Sequence, residues 1–210
     1  RNIKVALRKL RQFARTGAAD ELDLDHTISA TAKNAGMLDL KLVPERHNAV
    51  KVLLMLDVGG SMDPYIQVCE ELFAACRSEF KHLEHFYFHN FVYESLWRNN
   101  MRRHHERTSV YDIIHTYGRD YKVIFVGDAS MSPYEINSPY GSVEHMNAEP
   151  GHVWMQRLTN HFDTVTWLNP VAPDHWRYTQ SVGMTKQLMD DKMFPMTLSG
   201  LSDAIKALAK

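Results

Sequence analysis

Hydrophobic positions recur along this chain in three rhythms, and the places where one gives way to another mark its elements. In residues 1–15, Ile3, Leu7, Leu10 and Phe13 fall at helical spacing, with Arg1, Lys4, Arg8, Lys9, Arg11 and Arg15 between them and no acid. A basic amphipathic helix is predicted there. Asp20, Glu21, Asp23 and Asp25 follow, acids suited to the positive end of a second helix that runs to about Ala35 and is closed by Gly36. Residues 37–43 alternate apolar and polar like an edge strand, which Pro44 ends. Residues 50–56 are almost continuously apolar, as a strand covered on both faces must be.

A glycine-containing loop over residues 57–64 leads from that strand into a helix with Tyr65, Cys69, Leu72, Phe73, Cys76, Phe80 and Leu83 on one stripe. Residues 85–97 are rich in aromatic and β-branched side chains and break near Asn90, the pattern of a hairpin or of two paired strands at a sheet edge. A basic loop over 98–107 precedes Thr108 and Ser109, which cap a helix bearing Val110, Ile113, Ile114 and Tyr117, with Gly118 as a left-handed stop. Residues 121–126 and 164–168 predict two more buried strands, 153–162 and 198–209 two more helices. Between Ser130 and Gly151 lies a connection longer than most, a candidate functional loop.

Strands that alternate with helices and are hydrophobic throughout imply a three-layer, doubly wound α/β fold with a mostly parallel sheet. The expected division is a helical extension over residues 1–36 and the sheet domain over 37–210. Ligands of such sheets bind at the carboxyl ends of the strands, here the loops after Leu56 and Val126 and before Val110.

Composition narrows the possible partners. Lys and Arg total 24 against 25 Asp and Glu, so the net charge of −1 removes the overall attraction that nucleic-acid binders show. The longest near-apolar run contains Lys51 and Asp57 and falls far short of the ~20 residues a membrane helix needs. Neither nucleic acid nor membrane is therefore expected as a partner. The chain opens Arg1-Asn2-Ile3, with no initiator Met and no apolar signal core, which reads as a piece of a longer, unexported protein. Cys69 and Cys76 would lie ~10 Å apart along a helix, beyond the ~7 Å a disulfide spans, so two reduced thiols in a cytoplasmic protein are expected.

At the three loop ends Asp57, Ser61, Thr108 and Asp128 supply carboxylates and hydroxyls, with no thiol or imidazole among them. Such hard oxygen donors suit Mg²⁺, Mn²⁺ or Ca²⁺ rather than zinc. An ion held partly by hydroxyls keeps positive charge and a replaceable water, and so can accept a carboxylate from another protein.

This arrangement resembles the von Willebrand factor A (VWA) domain and its metal-ion-dependent adhesion site, in which Asp-x-Ser-x-Ser follows the first central strand and a Thr and an Asp come from two later loops. Here the loop reads Asp57-Val58-Gly59-Gly60-Ser61, the Thr falls on Thr108 and the Asp on Asp128 of Val-Gly-Asp. The resemblance runs from about Asn48 to the C-terminus, and the preceding helices look like the extension of bacterial CoxE-like proteins. It implies metal-site positions at Asp57, Gly59, Ser61, Thr108 and Asp128, a Mg²⁺ cofactor (or Mn²⁺ or Ca²⁺), and a partner that presents Asp or Glu. It further implies a non-enzymatic adaptor for a MoxR-type AAA+ ATPase in complex assembly or metal-centre maturation. Gly59 departs from the pattern, since it stands where the family has its first Ser and removes one hydroxyl; a water could fill the place.

Two other readings use the same residues. Ser61, Asp128 and His152 have the chain order of an α/β-hydrolase triad, although Asp63 replaces the last glycine of Gly-x-Ser-x-Gly. A metal-free domain could instead bind protein or RNA through Arg98, Arg102, Arg103, Arg107, His104 and His105. The histidines themselves lack metal spacing: His85 and His89 would lie ~13 Å apart along a strand. In the long loop, Glu135 or Glu144 is expected to cap the ion when no partner is bound.

Overall fold

A computed structural model of the chain describes residues 4, 5, 8, 20–34, 37–44 and 50–209. Strand β1 (Asp20–Leu22) precedes helix α1 (Leu24–Lys33), and β2 (Leu42–Pro44) pairs antiparallel with β1. Next come β3 (Lys51–Asp57), a 3₁₀ turn (Gly60–Tyr65), α2 (Ile66–Glu79) and β4 (His82–Phe88). Short strands β5 (Ser95–Leu96) and β6 (Thr108–Ser109) form a ribbon ahead of α3 (Val110–Thr116). The chain continues through β7 (Lys122–Val126), α4 (Pro133–Asn137), α5 (Gly151–His161), β8 (Thr164–Asn169), α6 (Pro173–Trp176), α7 (Gln180–Leu188), β9 (Met193–Pro195) and α8 (Leu198–Leu208).

Five strands in the order β4-β3-β7-β8-β9, all parallel, make one sheet with helices on both faces, a Rossmann-like α/β architecture. Side-chain alternation sends Leu53, Met55, Val123, Phe125, Val165 and Trp167 to one face, where α3, α5 and α7 cover them. Val52, Leu54, Leu56, Ile124 and Leu168 point to the other, under α2 and α8. With both faces buried, the strands need apolar residues at every position, which is why their sequences show no polar alternation. The first face is the aromatic one: Trp167 stacks on Phe125 at 5.5 Å, and Phe88 and Phe91 pack against the same indole.

From β3 the chain crosses to β4 on one side, whereas β7, β8 and β9 build outward on the other. The strand order therefore reverses between β3 and β7, and a crevice opens between their carboxyl ends. Asp57 closes β3, and Asp128 lies two residues past β7.

Several expectations need correction. The strand expected over 37–43 does not join the sheet; only residues 42–44 pair, with β1, and Pro44 is part of the ribbon. Of the acids expected to open the second helix, Asp20 and Glu21 lie in β1, while Asp23 caps α1 by accepting from His26 N. The segment 85–97 is no hairpin of equals: β4 starts at His82 and is parallel, and the chain returns through the isolated bridges His89↔Phe91 and Tyr87↔Trp97. Helix α3 ends at Tyr117 in extended conformation, and Gly118 is not left-handed. The basic helix of residues 1–15 and the stop at Gly36 lie outside the described residues, apart from helical Lys4, Val5 and Arg8. Cys69 and Cys76 are free thiols, as expected.

Candidate metal centre

Asp57 is the centre of the crevice. Its side chain is buried where β3 ends beside Phe88 of β4 and alongside Gly127. Oδ1 accepts from the backbone N–H of Gly59 at 2.8 Å and of Asn90 at 2.9 Å. Oδ2 is buried and takes no hydrogen bond. Two glycines make room for the carboxylate. A Cβ at residue 127 would lie 2.9 Å from Asp57 Cβ and 3.1 Å from Trp167, and one at residue 59 would come 3.2 Å from Oδ1.

Two further carboxylates face it. Asp128 is buried, its Oδ1 accepts from Ser130 N at 2.9 Å, and its backbone oxygen accepts from Asn169 Nδ2 at 3.0 Å. Glu135, buried on α4, accepts from Asn90 Nδ2 at 3.3 and 3.2 Å through its two oxygens. Burial pushes the Asp57 carboxyl up from its ordinary 3.8 to about 7. The hydrogen bonds from Gly59 and Asn90 oppose this rise, and the charges of Asp128 and Glu135 add to it. Among the described residues no Lys, Arg or His forms an ion pair with any of the three. Asp57, buried with two carboxylates nearby and no base to answer it among the described residues, is costly as a bare anion, and a proton or a cation would relieve that cost.

The backbone is strained on both sides. Asn90 (φ 59°) and Ala129 (φ 55°) are left-handed, a conformation that costs a non-glycine residue about 1–2 kcal/mol. Asn90 is held there by its bonds to Asp57 and Glu135, and Ala129 by the 2.7 Å bond that its carbonyl accepts from Ser181 Oγ.

The hydroxyl candidates are placed differently. Ser61 is exposed in the 3₁₀ turn, and Thr108 is half-buried in β6, opposite Leu96. Among the described residues neither hydroxyl has a hydrogen-bond partner, so both are free to act as donors to an ion. Among those residues no three His, Cys, Asp or Glu side chains form a preassembled cage. A cation here would thus need neutral oxygens and water beside the acids. The residues fit such an ion in three ways: the donors are oxygens, Asp57 Oδ2 is orphaned in a buried position, and the carboxylates are uncompensated.

Glu144 does not face this cluster. It pairs with Arg103 at 2.8 Å and lies 3.8 Å from His89, so of the two acids expected to cap the ion it is Glu135 that lies near Asp57. The basic loop is largely neutralised. Arg98 pairs with Glu84 and Arg102 with Glu106, each at 2.6 Å, while Arg107 donates to the Arg103 carbonyl. No triad forms either: His152 Nδ1 is engaged with the Ile136 carbonyl at 3.1 Å, away from Ser61. Sequence reasoning missed Asn90 as a site residue, although its break in an aromatic run was the one available signal.

Beside Asp57 a cleft of about 330 Å³ opens, lined by Met62, Ile66, Cys69, Phe73 and Tyr87. Burial pushes the Cys69 thiol up to about 11, and the Asp57 charge adds to it.

Residues 1–95 match the family model described as VWA domain containing CoxE-like protein. The matched stretch includes Asp57, Gly59, Ser61 and Asn90 and stops short of Thr108 and Asp128. No curated protein and no solved structure matches the chain.

Proposed function

We propose that this chain, whose residues 1–95 match the CoxE-like VWA family model, is a divalent-cation-dependent protein-interaction module rather than an enzyme. The observation that carries the reading is the buried Asp57 carboxylate at the strand-order reversal, its Oδ2 unpartnered and the charges of Asp128 and Glu135 adding to its cost. Asp57 and Asp128 would hold Mg²⁺, Mn²⁺ or Ca²⁺, directly or through water, with Ser61 and Thr108 as hydroxyl donors. The ion supplies a positive centre with an exchangeable position, and a partner's Asp or Glu would take that position. Glu135 would occupy the same field when no partner is present, a built-in competitor on α4.

The partner in this reading is a MoxR-type AAA+ ATPase, for which the chain acts as adaptor; support for that step is the family resemblance alone. The test is surface plasmon resonance of the protein against such an ATPase, in Mg²⁺ and in chelator. Binding that is reversed by chelator and lost in Asp128→Ala is the expected result. Equal binding in chelator, or by the variant, would defeat the metal bridge.

A further inference from the structure

Asn90 and Gly59 belong together. The Asn90 side chain lies against residue 59 so closely that a Cβ there would collide with Oδ1 and come within 3.3 Å of Cγ. Its amide orientation is decided by its neighbours. Nδ2 faces both oxygens of Glu135, at 3.3 and 3.2 Å, where only an N–H donor is favourable. Oδ1 therefore points the other way, toward Gly59 and the Asp57 carboxylate. Among the described residues it accepts no hydrogen bond. The amide oxygen thus lies in the space beside Gly59, on the side of the carboxylate whose Oδ1 takes the Gly59 and Asn90 N–H groups and whose Oδ2 takes none.

We infer that Asn90 supplies, through Oδ1, the neutral oxygen donor that Gly59 cannot, so that the donor of the cation site has moved from the β3 loop to the end of β4. The inference rests on the cation reading above. It accounts for two features at once: a side chain at residue 59 would have to displace the Asn90 amide, and the left-handed backbone that Asn tolerates turns that amide toward residue 59. Amide oxygens are ordinary ligands of hard cations. A neutral donor also leaves the ion more of its charge than a third carboxylate would, which favours capture of a partner's acid.

The test is Mn²⁺ affinity, read from the electron paramagnetic resonance signal of free Mn²⁺, for the unaltered chain, Asn90→Gly, and the double variant Gly59→Ser/Asn90→Gly. Glycine accepts φ 59° without strain, so the backbone should survive; thermal unfolding in chelator checks this. Asn90→Gly is expected to weaken Mn²⁺ by about tenfold or more, and the double variant, which puts a hydroxyl where the amide was, to recover most of it. Unchanged affinity in Asn90→Gly would overturn the inference and leave the cation reading standing. Loss in Asn90→Gly with no recovery in a folded double variant would also overturn it, because Asn90 would then act only by holding Glu135. If the unaltered chain itself takes up no Mn²⁺, the cation reading fails and the inference falls with it.

Discussion

Two groups of acids in this molecule, one half-buried and one buried, are treated in opposite ways. Glu144, in the long connection after α4, meets Arg103 at 2.8 Å with His89 nearby. Next to it His145, packed between Tyr93 and Trp97, lies 3.4 Å from Glu94. Asp57, Asp128 and Glu135 have no such partner among the described residues and face one another instead. In the first group each acid meets a base inside the protein, although Glu144 Oε2 and His145 Nδ1 take no hydrogen bond, and the Arg103 contact ties the long connection to the basic loop. The second group is left open, and an open buried charge is costly unless something from outside completes it.

The sharpest way to break this contrast is to remove the acids. Asp57→Ala or Asp128→Ala should lower Mn²⁺ affinity by more than about a hundredfold, since outer-shell changes alone cost about 10–100-fold; calorimetric titration measures it. Arg103→Ala, by contrast, should leave Mn²⁺ affinity unchanged.

The next effect is on stability, with opposite signs in the two groups. In chelator at pH 8, Asp57→Asn should stabilise the fold by up to about 4 kcal/mol, because a raised carboxyl costs about 1.4 kcal/mol per pH unit of displacement from 3.8 to about 7. Arg103→Ala should destabilise by about 1–2 kcal/mol, since it leaves Glu144 half-desolvated with only the more distant His89 beside it. Urea unfolding of both variants checks the signs.

A pH series separates the groups again. Asp57 ionises near 3.8 in the unfolded chain and near 7 in the folded one. Stability held below pH 3.8 is therefore lost as pH rises through 7. In chelator the unaltered chain should show this loss and Asp57→Asn should not, while saturating Mg²⁺ should abolish the difference between them above pH 7. The smallest effect is on thiols. Cys76, in the core and pushed up to about 12, should resist alkylation until the fold opens, and Cys69 in the cleft should react first. Asp57→Asn should quicken Cys69 modestly and leave Cys76 alone.

The three central strands were legible because burial on both faces writes a continuous apolar run that no other element of that length produces. Helices α2, α5 and α8 were legible from their stripes. The fifth strand was not: β9 is three residues long, ends in Pro195 and follows α7, whose mixed face of Ser181, Val182 and Thr185 buries hydroxyls through bonds such as Ser181 Oγ to the Ala129 carbonyl. Such a helix has little hydrophobic periodicity to read.

The site divides the same way. Asp57 and Asp128 follow buried strands directly, so their position is set by local sequence. Asn90 and Glu135 reach the crevice from elements 33 or more residues away from Asp57, by long-range bonds that no spacing encodes. Glu135 and Glu144 looked equivalent along the chain, and only the placement of Arg103 separates them. Gly59 reads in sequence as a missing donor, and in the structure as the space that Asn90 fills.

The most direct test is a crystal of the unaltered chain soaked in Mn²⁺ and mapped for anomalous scattering. The expected result is a single strong peak in the crevice, with Asp57, Asp128 and Asn90 Oδ1 around it and Ser61 or Thr108 within reach. A crevice without anomalous density at saturating Mn²⁺, its three acids still facing one another, would contradict the claim that this cluster exists to hold a cation.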